Sequence, residues 1–264
     1  MIRISIGLVM SCVLWTTGHA ADRAATPTYR VIERIPGGDG GYDYISVDSA
    51  THVVFVGRTT GVMKLDLQTR KVTMDFVKGE DVASVLPIPG TPLMLSTNGQ
   101  SNTATLFDRN SGAVKAHIPT GKGPDGAFYD AAGKLAFVMN GEGRSATVVD
   151  PARGSAVGTI ALGGEPEAGV SDGRGRAYIN LNDRAEIAVV DVKSRKAVAR
   201  YKMPGCKEPT GIDYDPQSSL LISACRGSKV AKLIDSVTGA DRGTVAIGDG
   251  ADGVIFDSAA ADGA

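Results

Sequence analysis

Residues Gly126–Gly164 read GAFYDAAGKLAFVMNGEGRSATVVDPARGSAVGTIALGG, and this stretch decides the fold. Gly126 to Tyr129 is a small-residue strand, and Asp130 to Gly133 is a turn with Asp and Gly where turn chemistry wants them. Leu135 to Val138 is a continuous apolar run, as expected of a strand covered on both faces. Ala146 to Val149 follows, then a turn opening on Asp150, then Ala156 to Leu162 as an outer strand. Gly163 and Gly164 lead into the next unit. Four short strands in forty residues, with no helical periodicity, make an all-β unit too small to bury its own faces.

The unit repeats. An apolar pair, Asp, a few variable residues and a closing Gly or Arg recur from Leu65 to Arg70, Phe107 to Gly112, Val149 to Gly154, Val190 to Arg195 and Ile234 to Gly239. The five Asp residues, 66, 108, 150, 191 and 235, stand 42, 42, 41 and 44 apart. That fixed period predicts a β-propeller of four-stranded blades. Inner hairpin turns are expected at Asp48, Asp130, Asp172, Asp215 and Asp257, with Pro87 to Gly90 replacing that pattern in the second repeat.

At the start of the array, Tyr29 to Pro36 reads as an outer fourth strand with no first three before it. In a circular array such a strand closes the ring against the last blade. At the other end, Asp252 to Asp257 begins a sixth inner strand, and the sequence stops at Ala264. The expectation is five complete blades, a partial sixth and an orphan closing strand, hence a domain over residues 21–264 truncated at its C-terminus.

Residues 1–20 read as a secretory leader. Arg3 gives a positive start, Ile4 to Trp15 is apolar, and Gly18 to Ala20 forms a small-x-small cleavage site. The apolar run is short for a membrane span. It continues past Cys12, which disfavours a lipoprotein reading. The expected product is exported, periplasmic or secreted, with no membrane span left after cleavage. It carries 27 Lys and Arg against 29 Asp and Glu, a formal charge of −2. No polybasic run survives, which argues against nucleic acid or anionic membrane as partner. His52, His117, Cys206 and Cys225 are the mature His and Cys residues. Two isolated His cannot build a His-rich zinc or copper site. Neither a Cys-x-x-Cys-His haem motif nor a Gly-x-Ser-x-Gly elbow occurs.

The junctions between repeats share a further pattern: Gly121 to Gly126 (GKGPDG), Gly163 to Ala168 (GGEPEA), and the variants Cys206 to Gly211 (CKEPTG) and Gly248 to Gly253 (GDGADG). With Thr147 to Asp150 and Val157 to Gly163, this resembles the YVTN-type forty-residue β-propeller repeat family, more narrowly the secreted YncE-like proteins. The resemblance covers Tyr29 to Ala264. It implies a seven-bladed parent fold. It leaves function open, since nucleic-acid binding is suggested for some members and surface roles for others.

The repeat converts one column into a candidate site. The residue five before each inner-turn Asp opens the innermost strand at the channel mouth: Asp43, Asp125, Glu167, Thr210 and Asp252, with Ala83 and nearby Asp81 in the second repeat. Four acids on one axis suit a Ca²⁺ ion or a cationic ligand; the alternative is that they are solvated loop ends. No other cofactor is expected. Cys206 precedes an inner strand and Cys225 ends its neighbour, so both reach one face of one blade; exported and paired, they predict a disulfide. Asn98, Asn140 and Asn180, with Arg226, follow second strands and read first as turn signals, or else as a ligand face.

Two functions fit these features. The first is an exported, non-catalytic binding or scaffold module, monomeric, for a protein or small-molecule ligand. The second is a metal-dependent, lactonase-like hydrolase with Glu167, Asp252 and Asn140 around a divalent cation, by analogy of fold alone.

Overall fold

The structure, a computed structural model, describes residues 30–257. These form five four-stranded antiparallel sheets. The first holds β1 (Tyr42–Asp48), β2 (Val53–Arg58), β3 (Gly61–Asp66) and β4 (Val72–Lys78). The second holds β5 (Val85–Pro87), β6 (Leu93–Asn98), β7 (Thr103–Asp108) and β8 (Val114–Pro119). In the third are β9 (Pro124–Asp130), β10 (Leu135–Asn140), β11 (Ser145–Asp150) and β12 (Ser155–Ala161). The fourth comprises β13 (Pro166–Ser171), β14 (Arg176–Leu181), β15 (Glu186–Asp191) and β16 (Lys196–Lys202). The fifth comprises β17 (Pro209–Asp215), β18 (Leu220–Cys225), β19 (Val230–Asp235) and β20 (Asp241–Ala246). Every sheet is a meander, and the inner strands β1, β5, β9, β13 and β17 succeed one another around a common axis. This is a β-propeller arrangement, as the period predicts.

The core lies between the sheets. One apolar cluster joins Phe55, Val62, Val77 and Phe107 across the first two, and another joins Leu95, Leu106, Ala136 and Val149 across the next two. Phe128 and Phe137 stack with ring centroids 4.9 Å apart in a third cluster that reaches Ile179 and Val190. The fourth cluster packs Tyr178 and Tyr201 against Ile212 and Leu221. A second strand therefore has a neighbour on each face, which is why Leu135 to Val138 and its equivalents show no alternation.

The repeating Asp is a turn device. Its side chain accepts N–H bonds from the residues two and three ahead: Asp66 Oδ1 from Gln68 (2.9 Å) and Thr69 (2.8 Å), Asp108 Oδ1 from Asn110 (3.0 Å) and Ser111 (2.8 Å). Asp150 and Asp235 do the same. The closing Gly or Arg is the left-handed residue of the turn, at φ 61° for Arg70, 74° for Gly112 and 56° for Arg195. At Asp108, Asp191 and Asp235 these backbone and hydroxyl donors, with Arg242 at the last, hold the carboxyl below the usual carboxylate range.

Both ends differ from expectation in pairing. Residues 30–36 form no strand, because no sheet edge among the described residues offers them a ladder. They nevertheless sit where an outer strand would: Glu33 meets Arg70 of the β3–β4 turn at 2.9 Å, as Arg195 of the β15–β16 turn meets the Val157 carbonyl of β12. Residues 252–257 form no strand either, yet they lie against β17 in the place of a sixth inner strand. Thr210 Oγ1 donates to the Ala251 carbonyl (3.0 Å) and Phe256 N–H to Asp213 (2.7 Å). The expected leader, residues 1–20, lies outside the described residues. Among those described, no helix is long and apolar enough to cross a membrane.

Asn140 and Asn180, near the ends of their second strands, are buried latches ahead of the turns, which corrects the ligand-face reading for these two. Asn140 and Asn180 are fully buried. Asn180 Nδ2 reaches the next sheet, donating to the carbonyls of Thr210 (2.8 Å) and Gly211 (3.2 Å) and to Ser223 Oγ (2.9 Å). Truncation by Asn180→Ala strands those acceptors in a dry interface, so a stability lower by about 1–2 kcal/mol, read as a lower urea midpoint, is expected. An unchanged midpoint would show that the latch adds nothing.

Candidate functional site

The channel mouth begins with the loops that enter each inner strand. Small residues line these strands because the backbones approach closely: a Cβ on Gly126 would meet the Glu167 carbonyl at 2.6 Å, and one on Gly211 would meet the Asp252 carbonyl at 2.8 Å. A repeat with the same small residue at one position thus draws its neighbours' acids toward one axis. A cavity of about 620 Å³ occupies that axis, lined by Asp43, Tyr44, Ser84, Gly126, Ala168 and Asp252 among others. Asp125 and Glu167 immediately precede Gly126 and Ala168.

The four expected acids share one electrostatic environment. Burial pushes Asp125 up to about 7, with the charges of Glu167, Asp43, Asp252 and Asp81 adding to the effect. Burial also raises Glu167, helped by Asp252 and opposed by Arg226. Asp43, at the rim, is raised by partial burial and then by Asp252 and Asp81, against a hydrogen bond from the Tyr44 backbone. Burial leads in each case, and the neighbouring like charges add to it. Thr210, the fifth member of the column, is fully buried and committed to its bond with Ala251.

Two participants were not legible in the repeat column. The Tyr44 hydroxyl is held protonated by burial and by the charges of Asp125, Glu167, Asp252 and Asp43, so it stands as a neutral donor among carboxylates. Arg226 opens a single 3-10 turn (Arg226–Ser228) after β18 and bridges Asp252 at 3.5 Å and Glu208 at 3.7 Å. It is the local counter-charge to the ring. Only its place after a second strand hinted at this.

The mouth is acidic. It gathers negative charge in a partly desolvated cavity with one neutral phenol. Among the described residues, no three His, Cys, Asp or Glu groups stand close enough together to hold a metal ion. Asn140 does not reach the ring: its amide donates to Ser145 and Thr147 hydroxyls at 3.0 Å and accepts from Gly121 N–H at 3.1 Å. The metal-ligand role considered for Asn140 therefore has no geometric support. His117 lies exposed on β8, and His52 is an exposed left-handed turn residue between β1 and β2.

Cys206 and Cys225 form a disulfide, with Cα atoms 5.3 Å apart, that ties the entry of β17 to the end of β18. It anchors the turn carrying Arg226.

These features define a β-propeller with an acidic channel mouth. No protein-family model matches the chain, and no curated protein matches it. Among solved structures it is similar to hydrazine synthase of Kuenenia stuttgartiensis, at 15% identity, a TM-score of 0.59, and coverage of 86% of this chain and 92% of that chain. At that identity the likeness speaks for the fold alone.

Proposed function

We propose that this chain is an exported, non-catalytic binding module whose propeller presents a cation-receptor site at the mouth of its channel. Asp43, Asp125, Glu167 and Asp252 form the site, with Tyr44 and Arg226 tuning it. The observation that carries this reading is the gathering of repeat-equivalent carboxylates around one cavity, where burial first and neighbouring acids second raise Asp43, Asp125 and Glu167. Carboxylates held above their ordinary range bear an ionisation cost that a bound cation relieves. A lysine or arginine side chain of a peptide, or a polyamine, meets that need at the spacing the carboxylates have, whereas Ca²⁺ requires them to draw closer together. Export is supported by the leader-like residues 1–20 and by the Cys206–Cys225 bond, which suits an oxidising compartment. The scaffold role rests on the rigidity of closely packed sheets.

Calorimetric titration at pH 8 with spermidine, with a Lys-Lys dipeptide and with Ca²⁺ tests the site. At least one probe is expected to bind, and Asp125→Asn with Glu167→Gln to weaken it about tenfold or more. Affinity should also fall at pH 5, where Asp125 holds its proton. Equal binding by wild type and double variant would remove the ring from the function.

A further inference from the structure

We propose that the cleft between the outer edges of the first and second sheets is a separate binding site for a small neutral polyol or sugar. The cleft measures about 500 Å³ and is lined by Thr60, Lys78, Gly79, Glu80 and Asn98, with Thr103, Thr105 and His117 completing the wall. That volume lies within the span of small-molecule sites, about 300–1,000 Å³.

The repeat supplies its own reference. A shift of 42 residues carries Gly79, Asn98 and Thr105 onto Gly121, Asn140 and Thr147. At that second junction the Asn140 side-chain oxygen is satisfied, by Gly121 N–H at 3.1 Å and the Thr147 hydroxyl at 3.4 Å. The first junction departs from this. There the Gly79 N–H turns to the Thr60 carbonyl at 3.2 Å. Asn98 is only 3% exposed, and no group among the described residues donates to its Oδ1. The amide cannot be turned around without loss, because Nδ2 already donates to the Thr103 carbonyl (3.3 Å) and to the hydroxyls of Thr103 and Thr105 (each 3.0 Å). The orphan acceptor faces Gly79, where a Cβ would come within 2.7 Å of it. A buried acceptor without a donor is rare, and a hydroxyl from outside the chain, of an ordered water or of a ligand that takes its place, satisfies it.

The rest of the wall narrows the chemistry of that donor. His117 Nδ1 is engaged with Thr105 Oγ1 at 3.2 Å, which leaves the other ring nitrogen uncommitted among the described residues. Ser101 and Thr103 hydroxyls stand 3.0 Å apart, each able to give or take a proton bond. Lys78 and Glu80 sit exposed on the rim, neither in an ion pair among the described residues. One charge of each sign disfavours a net anion and a net cation alike. Hydroxyl groups fit best: one donates to Asn98 Oδ1 while its own oxygen accepts from Lys78 or His117. Adjacent hydroxyls on a compact carbon frame repeat this pairing along the wall.

The test is a titration of the isotopically labelled full chain, followed by amide resonances, with glucose, sorbitol, glycine and phosphate in turn. Glucose or sorbitol is expected to shift the amides of Gly79, Asn98 and Thr103 saturably. Exposed His117→Ala should weaken this about tenfold at an unchanged melting temperature, and Asn98→Ala should abolish it. Asp125→Asn should leave it intact, so failure here is distinct from failure of the acidic mouth. The proposal is overturned if neither polyol moves these amides, if only glycine or phosphate does, or if His117→Ala binds as wild type.

Discussion

Replacing Cys206 and Cys225 together by alanine is expected to lower the stability of this propeller by about 2–4 kcal/mol. The two residues are separated by 19 positions, so the bond removes loop-closure entropy from the unfolded chain. Both are buried, at 5% and 0% exposure, in the cluster that packs Tyr178 and Tyr201 against Ile212 and Leu221. The alanine pair therefore also leaves unfilled volume in a close-packed interface between the fourth and fifth sheets. For a chain of this size the melting temperature should drop by roughly 5–15 °C. Wild type melted with dithiothreitol should follow the variant, and the variant itself should be indifferent to the reductant. Coincident wild-type curves with and without reductant would refute the structural role. The effect reaches the channel mouth as well: Arg226 directly follows Cys225, and a looser turn withdraws counter-charge from Asp252 and Glu167.

The fold was legible because a turn, not a strand, carries the repeat. Asp66, Asp108, Asp150, Asp191 and Asp235 must bond their own backbone, and the residue closing each turn must be left-handed; both demands are written in residue type. The column Asp43, Asp125, Glu167 and Asp252 was legible for the same reason, since a fixed period turns position in sequence into position around an axis. What the period could not show is direction. Asn98, Asn140 and Asn180 precede or resemble turn sequences, and only the packed interface reveals that their amides point inward. Pairing at the two ends was equally out of reach. Residues 30–36 and 252–257 have strand-like sequences, but a strand exists only with a partner ladder.

Asp125→Asn is expected to stabilise the folded chain by about 1–3 kcal/mol at pH 8 and to leave it nearly unchanged at pH 4. In the unfolded chain this carboxyl ionises near its ordinary value of 3.8, whereas in the fold burial and its acidic neighbours hold it at about 7. Between those values the folded state binds the extra proton, so stability falls as pH rises from about 4 to about 7 and then levels off. The ceiling from one such shift is roughly 4 kcal/mol; coupling to Glu167 and Asp43 spreads the titration over the group and lowers what one substitution recovers. The turn carboxylates act in the opposite sense. Asp66, Asp108, Asp191 and Asp235 are held low by backbone and side-chain donors, so their contribution is present above about pH 4 and is lost on acidification. Wild type should thus be most stable in mildly acidic solution, and the Asn variant should keep that stability into the alkaline range. Urea midpoints of both proteins at pH 4, 6 and 8 measure the difference directly. A variant that is less stable than wild type at pH 8, or a difference that does not change with pH, would mean that Asp125 is not held against its own charge. A cationic ligand should close the same gap from the other side, raising wild type at pH 8 while leaving Asp125→Asn little changed, because it relieves the ionisation cost that the amide has already removed.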